Sequence, residues 1–128
     1  SGNTGGNTGG NTGGNTGGTT EQVVASLGSY NAANGNFNYT ASASLIETDN
    51  GGFLEFAIAN FANGDKISLP AGYVFEVDTD TAGDGIVTLG ATSGTNTVLI
   101  NLTGIATSFD SGVKTVADFN TFFGTSLA

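Results

Sequence analysis

The chain has 128 residues and a formal net charge of −9, from 11 acidic residues against two lysines, Lys66 and Lys114. A surface this acidic repels phosphate backbones and anionic membranes, which argues against nucleic acid as a partner and leaves divalent cations as the suited counter-charge, calcium first among them outside cells. Cys, Met, Trp and His are all absent, so disulfides, thiol nucleophiles, histidine bases and imidazole metal sites are excluded together.

From Gly2 the chain reads GNTG four times, to Gly17. In an extended strand the even period places Asn3, Asn7, Asn11 and Asn15 on one face and Thr4, Thr8, Thr12 and Thr16 on the other, each alternating with glycine. A period of four does not match the three-residue turn of polyproline II, so a collagen-like bundle fits less well. Threonine spaced on a flat face also suits ice binding, but here Thr and Asn occupy opposite faces. The plain reading of such a tract is a flexible spacer.

Fixing about twenty residues costs on the order of 20–40 kcal/mol of backbone entropy. The tract holds no large apolar side chain to offset that. An ordered tail therefore needs a partner for its backbone and its Asn and Thr side chains, as in stacked β-assemblies. About twenty extended residues reach roughly 65 Å, farther than the width of the remaining domain. Residues 1–20 are read as an inter-subunit connector and 21–128 as one folded domain. The connector is expected to add as a strand, in trans, to a sheet edge or groove of the next copy, with the eight Asn and Thr residues named above as the assembly positions.

The domain shows period-two alternation over residues 22–27, 36–48, 52–61, 66–69, 73–79, 85–91 and 96–105, separated by turn residues. In the second run Phe37, Tyr39, Ala41, Ala43 and Leu45 share a face, and in the third Leu54, Phe56 and Ile58 do. Asp49-Asn50-Gly51-Gly52 between these runs predicts a hairpin. Seven short strands at this spacing predict an all-β fold, an antiparallel β-sandwich or barrel. Near the C-terminus the period becomes helical. Thr115 three residues before Asp118 predicts a capping box, Gly124 a helix stop, and Val116, Phe119, Phe122 and Phe123 the apolar face of one short helix docked over the open end of the sheets.

Candidate chemistry is sparse. Asp78, Asp80 and Asp84 lie within seven residues in a D-x-D-x-x-G-D order that resembles a calcium loop, with Gly83 permitting the turn. Ala82 stands where a further ligand is expected, and residue 89 is Leu rather than a bidentate Glu. Asp also serves ordinary turn chemistry. Glu47, Glu55 and Glu76 are the glutamates of the predicted strands, and no pattern sets two of them in one cleft for glycoside cleavage. A lysine-to-asparagine crosslink would need Lys66 or Lys114 buried beside Asn and an acid. The expectation is a protein that is not an enzyme.

Four phrases carry a resemblance. They are Asn63-Gly64-Asp65-Lys66-Ile67-Ser68-Leu69-Pro70-Ala71-Gly72, Asp84-Gly85-Ile86-Val87-Thr88-Leu89, Val98-Leu99-Ile100-Asn101-Leu102-Thr103-Gly104-Ile105 and Val116-Ala117-Asp118-Phe119-Asn120-Thr121-Phe122-Phe123-Gly124. As an ordered set they resemble the C-terminal region of bacterial RTX-like proteins exported by type I secretion, over about residues 63–128. The resemblance implies an uncleaved C-terminal export signal ending at Ser126-Leu127-Ala128. That agrees with a chain whose first residues, from Ser1, show no basic and apolar leader. The glycine- and aspartate-rich nonapeptides of that family are missing, and GNTG carries no acid.

No apolar stretch approaches the roughly 20 residues of a spanning helix, so membrane insertion is not expected. Low Lys with high Gly, Asn and Thr points to an extracellular place, secreted or on a cell surface. The expected function is a self-assembling extracellular structural protein, a filament or biofilm matrix subunit joined through its tail. The alternative is a calcium-assisted adhesin or carbohydrate-binding module with the tail as a spacer.

Overall fold

The computed structural model describes residues 19–78, 85–106 and 115–128. Eight strands, a π-helical turn and one α-helix follow in order. They are β1 (Thr20–Val23), β2 (Ser29–Asn31), β3 (Phe37–Thr40), the π turn (Ser44–Asp49), β4 (Phe53–Ala59), β5 (Lys66–Ser68), β6 (Val74–Asp78), β7 (Val87–Ser93), β8 (Asn96–Thr103) and α1 (Val116–Phe123). They build two open sheets, one ordered β1-β3-β5 and the other β2-β4-β8-β7-β6.

The chain alternates between these sheets: β1, β3 and β5 go to one, β2 and β4 to the other, and each return runs parallel to the strand before it. The result is a two-sided coil. Thr20 pairs with Phe37, so the first coil repeats after 17 positions. In the second coil Asn38 pairs with Lys66 and Ser29 with Ala57, and both sheets agree on 28 positions. The longer repeat holds the π turn. Among the described residues only β6-β7-β8 is antiparallel, a meander with its last turn at Gly94-Thr95.

Several expectations are corrected by this topology. The fold is β-rich with one short C-terminal helix, but it is not a closed barrel. Among the described residues four of the six strand pairings are parallel, against the antiparallel expectation. Side-chain alternation has the same period in either direction, so it cannot report strand polarity. The expected strand over 36–48 ends at Thr40. Beyond it Ser42 Oγ accepts from Leu45 N–H, Ile46 N–H returns to Ser42 O, and Asn50 Nδ2 donates to Leu45 O. These local bonds turn the Ala43-Ser44-Leu45-Ile46-Glu47 segment away from the ladder, so Asp49-Asn50-Gly51-Gly52 leads from the π turn into β4 and makes no hairpin.

The core draws on both sheets and α1. Leu54, Phe56 and Ile58 of β4 are buried, as are Val98, Ile100 and Leu102 of β8 and Val87, Leu89 and Ala91 of β7. Tyr39 of β3 meets Tyr30 of β2 with ring centroids 5.9 Å apart, and Tyr30 meets Phe56 at 6.3 Å. Helix α1 forms as the sequence predicts: Thr115 Oγ accepts from Asp118 N–H, the Asp118 carboxylate accepts from Thr115 N–H, and Gly124 ends the helix at φ 69°. Its Phe119 and Phe123 are buried against Phe61, with centroids 5.8 and 5.4 Å away. Phe122 of the expected apolar face is exposed.

Candidate functional site

The informative surfaces are the two ends of the coil. At the first coil, Thr20 N–H donates to Asn36 O and Val24 N–H to Thr40 O. In a parallel ladder alternate residues turn their backbone groups to opposite sides, so Glu21 and Val23 turn theirs away from β3. In the other sheet Ala57 N–H donates to Gly28 O and Ala32 N–H to Ala59 O, which leaves Ser29 and Asn31 turned outward. Among the described residues, both sheets thus end at the same coil in edges with no further strand. One side chain answers from within: Gln22 Nε2 donates to Val23 O at 2.9 Å.

The same coil exposes apolar surface. Val23 is 67% and Leu27 77% exposed, the two highest values among the large apolar residues described. Tyr30 is the last interior aromatic ring at this end. It is half-buried, folds back over Gly28, and its hydroxyl accepts from Ala25 N–H at 2.8 Å. The described chain begins here, at residue 19, just before β1.

At the opposite end the β6 edge is held by the last residue. Phe75 N–H on the edge strand β6 donates to Ala128 O at 2.8 Å. Asn120 fixes this last segment through three bonds, accepting from Leu127 N–H and Thr125 Oγ and donating to Leu127 O. Between the free edge of β5 and residues 124–127 lies a slot of about 350 Å³. Lys66, exposed on β5, lines it.

Asp65, just before β5, is buried and closes the second coil. Its carboxylate accepts from Phe37 N–H at 2.8 Å and from Ala62 N–H at 2.9 Å. Burial pushes its carboxyl above the usual range, and the two N–H donors pull it back only in part. Burial, aided by the nearby Asp65, also pushes the Tyr39 hydroxyl well up.

Of the residues singled out from sequence, the assembly positions Asn3, Thr4, Asn7, Thr8, Asn11, Thr12, Asn15 and Thr16 lie outside the described residues, as do Asp80, Asp84 and Lys114. Asp78 ends β6 and is exposed. Among the described residues no group of three acids is placed to hold a metal ion, and no helix is long and apolar enough to cross a membrane. Glu55 and Glu76 lie in one cross-strand row, through Leu99 and Gly90. Three strand spacings, roughly 14 Å, separate them, beyond the roughly 5–10 Å used in glycoside cleavage. Glu55 instead accepts from Asn101 Nδ2 at 2.9 Å. Lys66 is exposed, so it lacks the burial a crosslink requires.

Sequence reasoning missed the edge residues Glu21, Val23, Ser29 and Asn31. The signal for β2 was present, Ser-Tyr-Asn between Gly28 and Asn34-Gly35, but three residues are too few for alternation to register. No protein-family model, no curated protein and no solved structure matches this chain.

Proposed function

We propose that the protein is an extracellular structural subunit, secreted or held at a cell surface, that assembles with copies of itself into a filament or matrix through its tail-bearing end. The observation that carries the reading is the first coil, where, among the described residues, two sheets end together in edges with no further strand beside exposed Val23 and Leu27. Open edges are templates for further strands, and folds that stay monomeric blunt them with Lys, Pro or a covering segment. This end has none of these among the described residues.

An open filament also needs a second, different surface. The slot beside β5 supplies it, with Lys66 as a cation on a chain of net charge −9. In this reading the two sheets are the faces of one sandwich-like roll, and the capped C-terminal helix belongs to the export signal of a type I secretion route.

The test is deletion of residues 2–18. Negative-stain imaging and sedimentation of the full chain should show regular polymers, and the truncated chain should keep its far-UV spectrum while sedimenting as a monomer. Polymers that persist without the tail would overturn the proposal.

A further inference from the structure

The two edges of the first coil match each other. On β1 the backbone groups of Glu21 and Val23 face outward, and on β2 those of Ser29 and Asn31 do, two positions apart in each case. The chain turns back between them, with Gly28 N–H donating to Ala25 O, so β1 and β2 run in opposite senses on opposite sheets. They also stand level along the strand direction: Gln22 pairs with Tyr39 in the ladder, and the Tyr39 ring centroid lies 5.9 Å from that of Tyr30.

A two-fold axis parallel to the strands, passing between two such ends, brings β1 of each copy antiparallel beside β2 of the other. It turns each sheet onto the plane of the other, so inward rows stay inward. In an antiparallel ladder, directly opposed residues of a hydrogen-bonded pair exchange both bonds. One register opposes all the outward groups at once, Val23 to Ser29 and Glu21 to Asn31 of the second copy, with Gln22 facing Tyr30 on the inner side. Charge selects this axis. Glu21 is the one charged residue of β1 and β2. Asn31 Oδ1 accepts from Ala33 N–H at 2.9 Å and from Asn60 Nδ2 at 3.0 Å, while its own Nδ2 donates to nothing among the described residues. That amide is a donor for the opposed carboxylate. The other two-fold sets β1 against β1, and it would put two Glu21 carboxylates in diagonal positions of one face, roughly 7–8 Å apart.

We infer that two copies join head to head about this axis, β1 to β2 and β2 to β1, as an isologous pair. The occupant of each open edge is the edge of a second copy. The inference rests on the reading that copies assemble through this end, and it makes the pair the repeating unit, with a β5 slot at each outer end. Two-stranded ladders this short are marginal by themselves, in keeping with monomers once the tail is removed.

The chain has no cysteine, so introduced disulfides report the register. Val23 and Ser29 are both exposed. Full-length Val23→Cys is mixed with an equal amount of full-length Ser29→Cys in a glutathione redox buffer, and in a second sample with Glu21→Cys. Opposed Cα atoms of a hydrogen-bonded antiparallel pair lie about 5.5 Å apart, within the roughly 4.4–6.8 Å that a disulfide spans. In the first sample the mixed disulfide should exceed the two homodisulfides together by at least about fivefold, whereas random collision makes the two amounts equal. The Glu21→Cys sample should show no preference for the mixed species. A preference there, random amounts in the first sample, or no disulfide between copies would overturn the inference. Sedimentation of the unsubstituted chain separates this outcome from the function: polymers alongside random disulfides keep the assembly reading and lose the pairing, while monomers lose both. Matching melting temperatures in the reduced state confirm that the three variants are equally folded.

Discussion

The two ends of this molecule are built from the same material and finished differently. At β6 the final residue bonds the edge strand through Phe75 N–H, Asn120 fastens the last segment with three hydrogen bonds, and α1 buries two phenylalanines against Phe61. At β1 and β2 the described chain provides one Gln22 side chain for one carbonyl and leaves Val23 and Leu27 in solvent. The difference teaches that edge protection here is added by segments outside the coil, since the coil itself ends in bare ladder groups on both sheets. Stability should therefore reside at the covered end and association at the open one.

The strongest way to break that division is Phe119→Ala. Phe119 is fully buried with rings on two sides, and truncating such a side chain costs about 3–5 kcal/mol. Urea denaturation should show that loss. A change below about 1 kcal/mol would mean that α1 is not part of the cooperative core.

Asp65→Asn sharpens the comparison through pH. The amide leaves one of two N–H donors facing an NH₂, which costs about 1–3 kcal/mol. Because burial raises the Asp65 carboxyl in the folded state, the native chain holds its proton more tightly than the unfolded chain. Its contribution is complete below the ordinary carboxylate value and is lost as pH rises through the folded value. Thermal melts from acid to neutral pH should show the gap between native protein and variant narrowing as pH increases. A gap that widens would show that the N–H donors outweigh burial.

The smallest effect on folding is expected at the open end. Val23→Lys with Leu27→Lys changes two exposed side chains, and surface changes of this kind stay within about 0.5 kcal/mol. The same pair places charge on the bare edge, the device by which sheets avoid each other, so polymers seen by sedimentation should disappear while the melting temperature holds.

Local features were readable from residues whose side chains act on near neighbours. The Thr115 and Asp118 capping box, the Gly124 stop and the buried Leu54, Phe56 and Ile58 row all follow from spacing, and the structure contains each. Strand polarity was not readable, because Tyr39 points inward whether its neighbour β1 runs up or down. The break after Thr40 was hidden for a different reason. Ala41, Ala43 and Leu45 keep the alternation of a strand, while Ser42 and Asn50 hold the backbone in a turn that only their hydrogen bonds reveal.

Parallel coiling also fixes the order in which this chain can acquire its structure. The β7 and β8 strands meet across Gly94-Thr95, a closure that hairpins complete in about 1–10 μs. By contrast β4 reaches β8 only after 44 positions, Phe53 onto Thr97, and loop entropy must be met before that ladder returns anything. The C-terminal meander is thus the seed onto which β4 is laid down.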